Sequence, residues 1–81
     1  MELTKEEKEI LDTLEENDQR YIARDKDGAL YSYENKPRKR TREWEGYFPV
    51  GIINGEKLFS FIKWEDEQPK VAEDLLYENE Q

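Results

Sequence analysis

Cysteine and histidine are both missing from this sequence of 81 residues. Without cysteine, the chain can form neither a disulfide framework nor a thiolate metal site. Without histidine, it lacks the side chain that most often acts as a general acid or base near neutral pH. No apolar run approaches the roughly 20 residues of a membrane-spanning helix. The start, Met1–Glu7, lacks the layout of a signal peptide, so we expect a cytoplasmic protein.

The sequence also has few residues that are candidates for catalysis or metal binding. The carboxylates lie in runs that are typical of solvated surfaces. The only serines, Ser32 and Ser60, have no neighbouring base in the sequence. The stretch that begins at Asp25 is similar to the start of a calcium loop, but its twelfth position is Lys36, where a glutamate is required. We therefore predict no enzyme activity, no catalytic residue, no metal site and no cofactor.

The charges are divided into three blocks. Residues 1–19 carry two Lys against eight Asp and Glu, residues 20–64 carry ten Lys and Arg against six, and residues 65–81 carry one against seven. Two acidic ends therefore flank a basic middle, within a net charge of −8. Such a pattern bears on partners more than on the fold.

The length predicts a single domain over residues 1–81. Thr4 and Glu7 form a capping-box pattern ahead of an apolar stripe at helical spacing, which predicts a helix over 4–17. Apolar residues at helical spacing after Pro69 predict a short second helix over 69–77. The region 20–64 between these helices is predicted to be β structure, because it holds nine of the ten aromatic residues.

Two hairpins are predicted in the β region. The turn Asp25–Gly28 pairs Tyr21 with Tyr33 and requires Gly28 to take a positive φ. Asn54-Gly55 between two apolar runs predicts a second hairpin. We therefore expect an α+β fold with an antiparallel sheet of about four strands, an N-terminal helix and a short C-terminal helix. The expected core consists of Ile10, Leu11, Leu14, Tyr21, Tyr31, Tyr33, Phe48, Val50, Ile52, Phe59, Phe61 and Trp64.

A basic loop over 36–42 is one candidate binding surface. Its cations could contact phosphates and a neighbouring aromatic ring could stack on a base. Against this interpretation, the acidic net charge would repel nucleic acid, and the loop could equally pair with the protein's own acidic segments. The candidate nucleic-acid-binding residues are Lys36, Arg38, Lys39, Arg40, Arg42 and Trp44.

The acidic segments are the opposite candidate, because arrays of carboxylates can imitate the phosphates of a nucleic acid. Such an array would occupy the basic cleft of a nucleic-acid-binding protein. A solvated surface is the plainer interpretation of the same charges. The candidate partner-binding residues are Glu65, Asp66, Glu67, Glu73 and Asp74, and the acidic side chains of the N-terminal helix (Glu6, Glu7, Glu9, Asp12, Glu15, Glu16 and Asp18) could act in the same way.

Several strings in this chain resemble a group of small proteins encoded by phages and prophages of Gram-positive bacteria. They are the stretch 21–31, Lys36-Pro37, Trp44, the stretch 61–69 and the stretch 74–76. The resemblance implies a phage or prophage accessory protein that binds a host or phage protein, for example as an inhibitor of a host system or a counter-defence factor. The alternative is a small nucleic-acid-binding protein that uses the basic loop.

Overall fold

The computed structural model describes residues 2–79, which form the predicted α+β fold. An N-terminal helix and a short C-terminal helix accompany a four-stranded antiparallel sheet with the strand order β5-β2-β1-β6. A separate two-stranded ribbon pairs β3 with β4. The elements are α1 (Lys5–Glu16), β1 (Tyr21–Arg24), β2 (Leu30–Tyr33), β3 (Arg38–Lys39), β4 (Trp44–Glu45), β5 (Val50–Gly51), β6 (Lys70–Val71) and α2 (Ala72–Asn79).

Helix α1 begins where the capping box predicts. The Thr4 hydroxyl accepts the N–H of Glu7 at 3.1 Å, and the Glu7 carboxylate accepts the N–H of Thr4 at 2.8 Å. These two bonds satisfy donors that a helix start would otherwise leave unpaired. The helix ends at Glu16, within one residue of the predicted boundary.

The first hairpin has the predicted register. Tyr21 lies opposite Tyr33, and Ala23 lies opposite Tyr31. Gly28 has a φ of +96°, a conformation that side-chain-bearing residues rarely adopt. The positive φ closes the turn in the way that the sequence predicts.

The second predicted hairpin is wrong. Strand β5 pairs with β2 instead of with the residues that follow Asn54. Asn54 takes a left-handed φ of 59° and leads into a 3₁₀ turn over Gly55–Lys57. A Cβ on Gly55 would lie only 2.7 Å from the Leu30 Cβ. Gly55 therefore serves close packing against β2, a contact that a local turn pattern cannot reveal.

The sheet carries a separate apolar cluster on each face, because side chains alternate along a strand. On one face, Ile22 and Leu30 pack against both helices and the irregular segment 58–62. On the other face, Ala23 and Tyr33 pack against Trp44, with three partly buried aromatic residues around them: Tyr21, Tyr31 and Trp64.

This arrangement corrects the prediction of a single core that joins the aromatic residues of the sheet to the apolar stripe of α1, because the structure has two separate clusters. Leu11 and Leu14 are buried as predicted, and Phe59 is fully buried. Phe48 and Val50 were assigned to the core but are 67% and 47% exposed. They lost their predicted partners because the segment after Asn54 does not return along β5.

The basic segment is not the loop that Pro37 predicted. Arg38 and Lys39 form β3 and pair with Glu45 and Trp44 of β4. The ribbon lies over the aromatic face of the sheet, because the Trp44 side chain belongs to that cluster. Tertiary packing against aromatic rings therefore gives order to a segment that is strongly polar in sequence.

The C-terminal helix starts later than predicted. Lys70 and Val71 pair with β1 as the edge strand β6, and α2 follows from Ala72. The predicted β region therefore ended too early, at residue 64. Among the described residues 2–79, no helix is long and apolar enough to cross a membrane.

Candidate functional site

Lys39 is exposed, but its ammonium group is engaged by contacts with other parts of the protein. It lies 4.3 Å from the centre of the Trp64 ring and 5.7 Å from that of Trp44, distances at which a cation is attracted to the ring face. It also donates hydrogen bonds to the carbonyl oxygens of Trp64 and, at 3.0 Å, Asp66. These contacts fasten the ribbon to the acidic segment 65–67 and leave Lys39 poorly suited to bind a phosphate.

The other cations that were predicted to bind nucleic acid differ in their surroundings. Arg40 forms an ion pair with Glu45 at 2.9 Å, in which both side chains stay exposed. That carboxylate and its hydrogen bond raise the pKa of Arg40. The three remaining predicted cations, Lys36, Arg38 and Arg42, are exposed.

Trp44 anchors the ribbon to the sheet. Its side chain is only 6% exposed, so its ring is not open to a stacking base. Its indole N–H donates to the Arg24 carbonyl oxygen at 3.1 Å, and its own carbonyl accepts the Tyr33 hydroxyl at 3.1 Å. Burial raises the pKa of Tyr33 well above its usual range, so the hydroxyl keeps the proton that it donates.

The predicted acidic residues are mostly exposed. Glu65 and Glu67 flank a turn, and Glu73 and Asp74 lie in the first turn of α2. Asp66 is half-buried, and its carboxylate accepts the N–H of Lys63 at 3.0 Å. Four of the five carboxylates are therefore open to a partner, while Asp66 also stabilises the turn.

On α1, Glu7 differs from the other acidic residues because its carboxylate is buried. Besides capping the helix, it accepts the backbone N–H of Phe59. Glu7 therefore connects α1 to the segment 58–62 and does not face a partner. The capping-box pattern identified Glu7, but this second contact spans 52 residues and leaves no mark in the local sequence.

Arg24 is the polar residue that sequence reasoning missed. Its five N–H groups donate to five different backbone carbonyl oxygens at 2.6–3.0 Å, which belong to Gly28, Gly55, Leu58, Phe59 and Ile62. Burial lowers the pKa of Arg24, and the charge of Glu56 opposes that shift. The guanidinium supplies the hydrogen bonds that the irregular segment 55–62 cannot make within a helix or strand. An arginine on the helix-bearing face, two residues after Ile22, was the only available signal.

A surface groove lies between α1 and β5, and sequence reasoning also missed it. Its volume is about 390 Å³. Glu6 and Glu9 stand on the α1 side, and the lining is otherwise mostly apolar: Ile10, Thr13, Leu14, Val50, Gly51, Ile52, Ile53 and Asn54. We call this feature the α1–β5 groove.

Two exposed apolar side chains, Val50 and Ile53, line the α1–β5 groove, and two more, Tyr47 and Phe48, lie in the same stretch of chain. Within residues 47–53, Ile53 is 84% exposed, Tyr47 69%, Phe48 67% and Val50 47%. One short segment therefore holds four of the five large hydrophobic residues that are exposed in the described part of the chain, the fifth being Tyr77.

The turn of the first hairpin holds a carboxylate with a perturbed pKa. Burial, together with the nearby charges of Asp27 and Glu43, raises the pKa of Asp25. A hydrogen bond from the Trp44 N–H, 2.9 Å from the Asp25 carboxylate, opposes this shift. Among the residues that the structure describes, no group of three or more His, Cys, Asp or Glu is arranged to hold a metal ion.

We expect Asp25→Asn to alter the pH dependence of stability. Because the pKa is raised in the folded state, the folded chain binds more protons than the unfolded chain between pH 3.8, the usual value, and the higher folded value. The contribution of Asp25 to the free energy of unfolding therefore falls as the pH rises through that window. Asparagine cannot ionise but keeps the oxygen that accepts the Trp44 N–H.

Urea unfolding from about pH 4 to 7 tests this expectation, with wild type and variant compared at each pH. The free energy of unfolding of Asp25→Asn, relative to wild type, should increase with pH. Asp12→Asn, on the exposed side of α1, controls for the loss of one negative charge. A difference between Asp25→Asn and wild type that stays constant over this range would contradict the assignment.

Comparison with known proteins finds no matching family model, no matching curated protein and no matching solved structure. A function for this chain therefore has to be argued from its surfaces.

Proposed function

We propose that this chain is a non-enzymatic protein-binding module, and that it binds its partner through the α1–β5 groove and the exposed segment 47–53. The observation that carries this proposal is the cluster of four exposed apolar side chains in that segment. Contiguous exposed apolar surface on a small domain is typical of an interaction site. The adjoining groove is concave, so side chains of a partner can pack into it.

An inhibitor that imitates nucleic acid is a more specific form of the same function. The exposed carboxylates Glu65, Glu67, Glu73 and Asp74 and the net charge of −8 support it. The resemblance to phage and prophage proteins favours a host protein as the target and a role in counter-defence. The acidic surface would steer the encounter, and the apolar groove would supply the buried contact.

Direct nucleic-acid binding by the basic segment is the weaker candidate. Exposed Lys36, Arg38 and Arg42 favour it. The Lys39 ammonium, however, is engaged by hydrogen bonds and aromatic rings of the protein itself, and Trp44 is buried. Three cations on a chain with a net charge of −8 would provide weak and strongly salt-dependent attraction to phosphates.

Removal of the exposed apolar groups should abolish partner capture. We expect tagged Val50→Ser/Ile53→Ser to lose the proteins that the wild type retains from a Gram-positive bacterial lysate. Tyr77→Ser is the matched control, because Tyr77 is an exposed aromatic residue outside the segment. A fourth chain, Glu65→Lys/Glu67→Lys, tests the acidic surface. Mass spectrometry then compares the proteins that the wild type and the three variants capture.

The four capture patterns separate the proposals. Loss in Val50→Ser/Ile53→Ser alone places binding at the groove. If Glu65→Lys/Glu67→Lys also loses the captured proteins, whatever buffer or tag is used, the result supports the acidic mimic. Identical capture by the wild type and Val50→Ser/Ile53→Ser would refute the proposed surface. Circular dichroism of each variant shows whether the fold is kept.

A further inference from the structure

We infer that the α1–β5 groove receives an amphipathic helix of the partner, which places apolar side chains in the groove and Lys or Arg side chains against Glu6 and Glu9. This inference rests on the proposed function and adds the chemistry of the partner. It follows from the position of the groove in the fold, from the sign of its charges and from the shape of the sheet edge beside it.

The groove is an uncovered part of the helix-bearing face. Val50 pairs with Ser32, and Ile52, directly after β5, donates its N–H to Leu30, so Val50 and Ile52 share the face on which Leu30 packs against the helices. Val50 is nevertheless 47% exposed. The helices bury the side chains of β1 and β2 on this face and leave those of β5 open. A further helix beside α1 would complete the layer.

The charges at the groove select a basic partner. Among residues 2–79, Glu6 and Glu9 are the only charged residues that line the groove. A second copy of this chain, with its own net charge of −8, would bring like charges together across the interface. In a partner helix, lysine or arginine side chains would pair with Glu6 and Glu9, and an apolar stripe between them would fill the groove.

The sheet edge at β5 favours a helix over an added strand. In an antiparallel pair, backbone groups point alternately toward and away from the neighbouring strand. Because Ile52 donates to Leu30, Gly51 is the β5 residue whose N–H and C=O point outward. Pro49 has no N–H, and Phe48 has a φ of 52°, which breaks the extended backbone. An added strand could therefore form backbone hydrogen bonds with one residue of β5, Gly51.

Designed peptides provide a direct probe. The first is a fluorescein-labelled peptide of about 14 residues with Leu at helical spacing and Lys elsewhere. The second has the same composition with Leu and Lys alternating, as a strand requires. The third replaces Lys with Glu in the helical pattern. We expect fluorescence anisotropy to show binding of the first peptide, weaker at high salt, and weaker or no binding of the other two.

Variants decide whether that binding occurs in the groove. Val50→Ser/Ile53→Ser and Glu6→Gln/Glu9→Gln should each weaken it at least about tenfold. The matched controls Tyr77→Ser and Glu43→Gln/Glu78→Gln, at exposed residues outside the proposed binding surfaces, should bind like the wild type. Equal binding by all chains would mean general attraction to an acidic protein and would overturn the inference, as would preference for the alternating peptide. A concentration-dependent dimer that Val50→Ser/Ile53→Ser abolishes would show a second copy as the occupant and would also overturn it.

The inference and the proposed function can fail separately. If the helical peptide does not bind, but lysate capture still depends on Val50 and Ile53, the groove is a binding surface for another kind of partner. If capture is independent of these residues, the proposed function itself is rejected, whatever the peptides do.

Discussion

Arg24→Met should destabilise the protein by about 3–5 kcal/mol, because it removes five hydrogen bonds to partly buried carbonyl oxygens. Five carbonyls, from Gly28 to Ile62, each lose the guanidinium as a donor. Two of them, those of Gly55 and Phe59, keep a backbone N–H donor. Methionine keeps much of the apolar stem of arginine, so the loss reports mainly on the guanidinium. A domain of this size has a total stability of only about 4–12 kcal/mol, so the loss is a large fraction of the whole.

Thermal and urea unfolding measure this effect, and two further variants interpret it. Arg20→Met is the matched control, since Arg20 is exposed and its guanidinium lies 4.0 Å from Asp18. It should melt within a few degrees of the wild type. Arg24→Lys keeps the charge but not the planar fork, so it should remain clearly destabilised. A melting temperature of Arg24→Met equal to that of wild type would show that the segment 55–62 does not depend on the guanidinium.

Phe59→Ala should cost about 3–5 kcal/mol, and Phe61→Ala should cost less. Phe59 is fully buried among residues of both helices and the sheet, whereas Phe61 is half-buried at the margin of the same cluster. The two rings meet edge to face, with centroids 6.2 Å apart. Deleting the buried ring leaves a cavity, while deleting the other removes one partner at an accessible surface.

The comparison of the two variants is the decisive measurement, by urea unfolding at constant pH. Phe59→Leu keeps most of the buried volume and should remain folded with a smaller loss, even if Phe59→Ala does not fold. Its stability relative to Phe61→Ala can then be measured directly. A larger loss for Phe61→Ala than for Phe59→Ala would contradict the observed burial and would favour the strand pairing that the sequence suggested.

The proposed binding surface could be anticipated only in part from the sequence. The acidic segments were identified, and four of the five proposed partner-binding carboxylates are exposed. The groove was not foreseen, because Phe48 and Val50 alternate with other residues in a pattern typical of core strands. Whether such a pattern is buried depends on which segment covers it, and here the expected partner strand is absent from its place beside β5.

Local sequence determined the elements whose partners lie within a few residues. The capping box at Thr4, the register of the first hairpin and the positive φ of Gly28 all follow from short-range sterics and hydrogen bonds. The α+β class follows from the order of these elements. Each of these features would be favoured in a fragment, which is why a pattern of residues suffices to predict it.

Tertiary structure decided the features that depend on contacts between distant residues. Asn54-Gly55 leads into a 3₁₀ turn instead of a hairpin, and there Gly55 packs so closely against Leu30 that a side chain would have no space. The carbonyls of 55–62 find their donors on Arg24, which lies at least 31 residues away. Such contacts depend on how elements pack in three dimensions, and the free energy of that packing outweighs a local turn preference.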